Sequence, residues 1–246
     1  MPGCLIVQHV PAEGPYLLAL GLAAAGVAVD VREVGDGAPL PAGAGGLDGL
    51  VVMGGPMSAR SDQGFPTRGA EVVLLADAVA RGVPTLGVCL GAQLLAAAAG
   101  GRVEPGGAGA EIGWGPVHLA AAAADDPLLA GVAGPSGVLD VLHWHGETFT
   151  LPPAAVLLAS SDRYPHQAFR LGPRAWGLQF HVEVDLGGVR AFVDAAGAEA
   201  AAAGTDPGTI VARAEELLGG DAGTGAGGPA WPGRLVADRF AGQVLA

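Results

Sequence analysis

Thr85-Leu86-Gly87-Val88-Cys89-Leu90-Gly91-Ala92-Gln93-Leu94-Leu95 is the stretch whose reading decides the fold. A short apolar run reaches Cys89, and an Ala-rich apolar run continues to Ala99 and stops at Gly100-Gly101. The pattern predicts a strand, a sharp turn and a helix, with the thiol at the corner. Gly87 and Gly91 flank the thiol at two residues either side. A nucleophile on a strained strand-to-helix turn needs such small neighbours, because the chain passes close to itself on both sides. The helix that follows points its N-terminus at the sulfur, which favours the reactive thiolate. The competing reading is a structural cysteine buried in an apolar strand.

Working outward, the segments before this corner alternate between strand and helix patterns. Cys4 to Val10 is a continuous apolar run, the pattern of a buried parallel strand. Tyr16 to Ala25 has helical character, Val27 to Val34 reads as a strand, and Gly35 to Gly46 is a Gly/Pro/Ala loop. Leu47 to Met53 is a third strand that runs into Gly54-Gly55-Pro56-Met57-Ser58. Thr67 to Arg81 reads as a helix, capped by Thr67, with Glu71 in its first turns and Gly82 as its stop. This is the order of a doubly wound α/β fold: a mostly parallel central sheet with helices on both faces. Ligands in such sheets sit outside the carboxyl ends of the strands, where Gly54-Gly55-Pro56 and Cys89 both fall.

From Arg102 to Val184 the texture changes to short strand-like runs separated by turn residues. They are Pro116 to Ala120, Val138 to His143, Ala155 to Ala159, Gln167 to Leu171 and Ala175 to Val184. They predict an additional antiparallel portion continuing the sheet. Leu186 to Ala203 and Pro207 to Leu218 read as helices, Gly219 to Gly228 as a flexible Gly-rich linker, and Trp231 to Ala246 as a last short helix. The expected division is a domain over 1–204 followed by a C-terminal helical extension over 205–246.

Composition narrows the function classes. The 246 residues are 50% hydrophobic, enough for a sizeable core, and carry a net charge of -12. No basic patch suits a phosphate backbone, so neither nucleic acid nor an anionic membrane surface is an expected partner. Two cysteines, Cys4 and Cys89, exclude a disulfide framework and suit a reducing compartment. With no leader pattern and no long apolar span, the expectation is a cytoplasmic protein.

Six histidines are available as bases, and His181 is the best placed. In Gln179-Phe180-His181-Val182-Glu183-Val184, strand periodicity puts His181 and Glu183 on one face and Phe180, Val182 and Val184 on the other. A carboxylate beside an imidazole fixes its tautomer and stabilises its charged form. Cys89, His181 and Glu183 thus match a nucleophile, a base and its orienter, against the alternative of a strand edge with two polar residues. The backbone N–H groups of Gly55 and Leu90 are candidates for an oxyanion hole, against the alternative of an ordinary turn. His143, His145 and Glu147 have a metal-ligand spacing if the strand runs straight through Gly146. No fourth ligand is apparent, so no metal is expected. His9, His118 and His166 read as structural or surface residues.

GVCLGAQLLA, VVMGGPMS and LQFHVEV together resemble the three signatures of the class I, triad-type glutamine amidotransferases. The similarity runs from about Cys4 to about Val193, and EIGW at 111–114 and HWHGE at 143–147 resemble the subgroup similar to the glutaminase domain of GMP synthase. The resemblance implies a flavodoxin-like amidotransferase domain. It assigns Cys89 as nucleophile, His181 as base, Glu183 as orienter, and Gly55 and Leu90 as the oxyanion hole. It also implies that Gln93 touches the substrate amide, that Gly146 and Glu147 meet the substrate α-carboxylate, and that no cofactor is needed.

No phosphate-binding loop and no dinucleotide fingerprint accompany these motifs, and the residues after Glu183 are too few for an ordinary synthetase domain. Two uses of the site follow. One is a stand-alone hydrolase of a small γ-glutamyl substrate, glutamine or a γ-glutamyl peptide. The other is a glutaminase subunit that passes ammonia to a separate synthase partner. A cysteine hydrolase or peptidase acting on a non-glutamyl substrate is a third, though the His181-x-Glu183 pair argues against it.

Overall fold

Continuous apolar runs form the centre of a nine-stranded sheet because both of its faces are covered. The computed structural model describes residues 1–219 and 231–246. The first half of the chain gives β1 (Gly3–Gln8), α1 (Tyr16–Ala24), β2 (Ala28–Glu33), β3 (Gly49–Val52), α2 (Arg68–Arg81), β4 (Thr85–Val88) and α3 (Leu90–Ala98). Its strands β1 to β4 are parallel. Alternate residues of each strand serve opposite layers. Cys4, Ile6, Val51, Met53, Leu86 and Val88 pack with Leu18 and Leu22 of α1. Leu5, Val7, Leu50 and Val52 pack with Leu74, Leu75 and Ala78 of α2 and with Leu94 and Leu95 of α3.

The second half gives the short β5 (Val103–Pro105), then β6 (Glu111–Leu119), β7 (Val138–His145), β8 (Glu147–Phe149), β9 (Ala155–Ser160), β10 (Ala168–Leu171) and β11 (Ala175–Leu178). The order across the large sheet is β2-β1-β3-β4-β11-β10-β9-β6-β7, and β5 and β8 form a separate two-stranded ribbon. β11 adds in parallel to β4, and from β10 outward every pairing is antiparallel. A doubly wound sheet with helices on both faces and an antiparallel portion is therefore present as expected, but it is mixed rather than mostly parallel, because as many pairings are antiparallel as parallel. No helix among the described residues is long and apolar enough to cross a membrane.

Several boundaries differ from the sequence expectation for identifiable reasons. The run Ala175 to Val184 is a strand only to Leu178. Beyond that point β4 has turned away at Cys89, so the chain loses its parallel neighbour and keeps the Gln179 N–H bond to the Gln167 carbonyl and a bridge between His181 and Leu142. β6 begins at Glu111 rather than Pro116 because its N-terminal half pairs with the end of β7. β5 and β8 were not anticipated; three-residue strands carry no periodicity. Thr67 does not cap α2 with its side chain. Its hydroxyl instead donates to Glu71 at 2.7 Å. Side-chain caps occur at Asp185 and Asp206, each accepting from a backbone N–H two or three residues on.

The C-terminal part supplies α4 (Leu186–Ala202), α5 (Pro207–Leu218) and α6 (Pro232–Leu245). The helix α4 carries a non-helical residue, Ala196, at φ -133°. Val189 and Phe192 of α4 pack with Ile210, Ala214 and Leu218 of α5 over Leu142 and Trp144. Val236, Ala237, Phe240 and Val244 of α6 join the layer that holds α1. The approach is close: a Cβ on Gly21 of α1 would lie 2.8 Å from the Ala237 Cβ. Most of the linker expected at Gly219 to Gly228 lies outside the described residues.

Because Phe240 is fully buried against the sheet, Phe240→Ala should cost about 3–5 kcal/mol. Urea unfolding followed by circular dichroism measures it. A cost under about 1 kcal/mol would mean that α6 is not integral to this layer.

Candidate active site

The corner at Cys89 is built by close approach. Cys89 adopts φ 49° and ψ -106°, a left-handed conformation rare for a residue with a side chain, and it is the N-cap residue of α3. A Cβ on Gly91 would overlap the Val52 carbonyl, and one on Gly87 would lie 2.8 Å from the Ala92 nitrogen. Glycine at both positions is thus a steric requirement of the bend. The Cys89 N–H donates to the Leu178 carbonyl at 2.8 Å, which ties the bend to the end of β11.

From Leu178 the chain leads directly to the other two expected residues. His181 Nδ1 lies 2.6 Å from Glu183 Oε1, and both side chains are buried. The His181 backbone is held by Leu142 through bonds of 2.8 and 3.3 Å, and the Glu183 carbonyl accepts from Leu17 N–H. Val182, between them, gives its carbonyl to the Trp231 indole at 2.8 Å. His181 Nε2 has no hydrogen-bond partner among the described residues. Cys89 Sγ faces the Trp144 carbonyl and receives the Gln179 amide, both at 3.6 Å.

The electrostatics refine the expectation from the helix dipole. Burial pushes the Cys89 thiol up, and His181 pulls it down. Burial alone would depress His181, but the Glu183 carboxylate and Cys89 outweigh it and hold the imidazole well above the usual histidine range. Cys4, the other cysteine, is pushed up to about 12 by burial alone.

Cys89 opens onto a cavity of about 550 Å³ lined by Gly55, Leu90, Gln93, Gly146 and Glu147 among others. The Gly54-Gly55-Pro56 turn is fixed from behind. His9 Nδ1 meets the Gly54 carbonyl at 2.8 Å, and His9 Nε2 meets Glu71 at 2.8 Å. A trans peptide aims its N–H opposite to its carbonyl, so holding the Gly54 carbonyl on His9 turns Gly55 N–H away from that ring. Gln93 is nearly buried, and its amide donates to Gln179 at 3.1 Å and to the Glu147 carbonyl at 3.4 Å. It thereby holds the amide that faces the sulfur.

Some site residues carried no sequence signal. Gln179 sits in an apolar strand sequence, and only the register of β11 against β4 sets it beside Cys89. Glu13 also lines the cavity. Its carboxylate and the His181 ring both lie beside the Gly54 α-carbon. Burial raises the Glu13 carboxyl above the ordinary range, with the His181 and His9 charges opposing. A glutamate in a loop five residues after a strand gives no pattern to read. The metal-ligand set weighed for His143, His145 and Glu147 needs a correction. The strand turns at Gly146, and Glu147 Oε1 receives the Ser58 hydroxyl at 2.7 Å. The third residue beside the two histidines is Glu111.

Comparison with known proteins gives consistent findings. The family profile for glutamine amidotransferase class-I matches residues 15–192. The chain is 34% identical over 172 residues to the glutamine amidotransferase-like protein YfeJ of Salmonella typhimurium, covering 68% of this chain and 70% of that one. It is 35% identical over 150 residues to a glutamine-hydrolysing GMP synthase of Porphyromonas gingivalis. That match covers 59% of this chain but only 26% of the synthase. A crystal structure of a glutamine amidotransferase from Thermotoga maritima superposes with a TM-score of 0.84 at 26% identity, over 100% of this chain and 99% of that one. One from Methylobacillus flagellatus gives 0.75 at 30% identity, over 99% and 94%.

The His9–Glu71 contact is buried on both sides, so Glu71→Ala leaves an unsatisfied imidazole and a loosened Gly54-Gly55 turn. We expect about 1–3 kcal/mol lost in urea unfolding, together with a fall in the turnover of any substrate that uses the turn. Unchanged stability would contradict the described role of His9 and Glu71.

Proposed function

Because the chain belongs to the class-I glutamine amidotransferase family, we propose that this enzyme hydrolyses a γ-glutamyl amide through a γ-glutamyl thioester on Cys89. The observation that carries the reading is the strained Cys89 corner opening onto the cavity, with the His181–Glu183 pair anchored to the same corner through Leu178.

In this reading Cys89 passes its proton to His181 Nε2, and the thiolate attacks the side-chain amide carbon of the substrate. The resulting oxyanion is met by the N–H groups of Gly55 and Leu90. His181 returns the proton to the leaving nitrogen, and the C–N bond breaks to release ammonia from glutamine, or the free amine from a γ-glutamyl peptide, and leave the thioester. Water then gives a proton to His181 and attacks the thioester carbon. Collapse returns the proton to sulfur and frees the γ-carboxylate. Glu183 keeps the Nδ1 proton in place and stabilises each imidazolium. Among the described residues the cavity wall contains Glu13, Glu147 and Glu199 and no lysine or arginine, and Arg60 stands behind it, 3.7 Å from Glu147 Oε1. Such a wall suits the α-ammonium of a glutamyl group, with the α-carboxylate falling to backbone N–H groups at Gly146 and Glu147.

The small share of the GMP synthase covered by this chain favours a second reading of the same chemistry: a glutaminase subunit whose ammonia is used by a separate synthase. The two readings differ in what partners do. A stand-alone hydrolase releases ammonia at full rate when pure. A subunit is slow alone and accelerates in an extract that contains its synthase.

Ammonia release from glutamine, and release of the free amino acid or peptide from γ-glutamyl peptides, test the proposal. Cys89→Ala should abolish both, and Cys4→Ala should leave both in place. Glu183→Gln should lower turnover by roughly 10²–10⁴-fold. The same change removes the charge that raises His181, so the acid limb of kcat/KM should move to lower pH. Turnover surviving in Cys89→Ala, or an acid limb unmoved in Glu183→Gln, would overturn the assignment of these residues.

A further inference from the structure

A second cluster of reactive side chains lies between β6 and β7, and the glutaminase chemistry does not use it. The antiparallel register sets Glu111 opposite His145 and Gly113 opposite His143, so both imidazoles stand on the β7 face next to the Glu111 carboxylate. Glu111 Oε2 lies 3.1 Å from His145 Nε2 and 3.7 Å from His143 Nδ1. One ligand atom from each of the three residues falls within 4.8 Å of the others.

The hydrogen bonding leaves this centre short of positive charge. His145 Nδ1 lies 3.0 Å from the Glu147 carbonyl and can only donate there. That leaves its Nε2 lone pair facing Glu111, unless a second proton makes the ring a cation. His143 Nδ1 is buried with no partner among the described residues. Its side chain is 5% exposed. The donor that reaches the centre is the Gln167 amide, 2.6 Å from Glu111 Oε2 and 3.3 Å from His145 Nε2. The Gln167 carbonyl oxygen is also buried and unpartnered. A carboxylate oxygen and two imidazole nitrogens thus converge on one point.

We propose that Glu111, His143 and His145 form a binding site for a divalent transition-metal ion of the Zn²⁺ class. Two histidines and a carboxylate are a standard zinc donor set, and zinc bonds of about 2.0–2.1 Å place tetrahedral ligand atoms about 3.3 Å apart. The two separations from Glu111, 3.1 and 3.7 Å, bracket that value, and all three ligand atoms lie within 4.8 Å of one another. The outer contacts fit as well: Glu147 orients His145 through its Nδ1, and Ser161 donates to the other Glu111 oxygen at 2.8 Å. A cavity of about 240 Å³ borders Glu111 and His143, with Arg163 also on its wall, and a water from it is the fourth ligand in this proposal. The role assigned to the ion is structural. It clamps the end of β7, where Trp144 offers its carbonyl to Cys89 and His145 and Gly146 line the substrate cavity.

The test is equilibrium dialysis of the full chain against Zn²⁺ after chelator treatment, in a Cys89→Ala background so that the catalytic thiol cannot compete. Co²⁺ serves as the spectroscopic probe. We expect one tightly held Zn²⁺ per chain, a visible Co²⁺ spectrum of a four-coordinate site, and a melting temperature that rises with Zn²⁺. Glu111→Gln and His143→Gln should each weaken binding by roughly tenfold or more and remove the metal-dependent rise in melting temperature. Melting in metal-free buffer identifies any variant that has failed to fold, and the other variant then decides. No stoichiometric binding, or binding of equal strength in the folded variants, would overturn the proposal.

Discussion

A single backbone hydrogen bond, from Cys89 N–H to the Leu178 carbonyl at 2.8 Å, sits where the two central strands part. β4 and β11 run side by side through four paired residues and then diverge. β4 bends into its helix, while the chain after β11 carries on past the bend with Gln179, His181 and Glu183. Cys89 and His181, the proposed nucleophile and base, therefore approach the same corner from positions about ninety residues apart because their strands are neighbours in the sheet. The Leu178 bond fixes how far each strand has travelled when they separate. A slip of one residue would turn His181 and Glu183 to the other face.

Rigidity at that point comes from packing on all sides. The bend admits no side chain at Gly87 or Gly91, because the chain crosses itself and the end of β3 there. Gly54-Gly55 is held by His9, which is held by Glu71, which also accepts from Thr67. Gln93 holds Gln179 against the sulfur, and Trp231, from the C-terminal region, holds the Val182 carbonyl. Buried networks of this kind confer specificity when every member is paired. Among the described residues, the unpartnered buried atoms at the site include His181 Nε2 and one oxygen each of Glu183 and Glu147. This is the arrangement expected of a site preorganised for chemistry rather than for stability.

The sequence disclosed those parts of the molecule that local rules govern. The apolar runs of β1, β3 and β4, the glycines around Cys89 and the two-residue spacing of His181 and Glu183 each state a local geometry, and the parallel half of the sheet follows from them. The parts that depend on pairing between distant strands were not legible. Glu111 is brought to His143 and His145 by the β6–β7 register, which no single segment encodes. For the same reason the metal-ligand reading attached itself to Glu147, the acidic residue nearest in sequence. The end of β11 was misjudged because its apolar pattern continues past Leu178, where the neighbouring strand does not. Thr67 has the composition of a helix cap, yet its hydroxyl is drawn to Glu71, a partner fixed by His9 just beyond the end of β1.

The account's central claim is that Cys89 attacks a γ-glutamyl carbon in this cavity. A glutamine-like diazoketone, which alkylates a nucleophile positioned at that carbon, tests it most directly when the modified chain is mapped by mass spectrometry. The account predicts a single adduct per chain on the peptide carrying Cys89, formed faster than with a diazoketone lacking the amino-acid group, and suppressed by excess glutamine. An adduct on another residue, or labelling of Cys89 that ignores both the amino-acid group and competing glutamine, would contradict it.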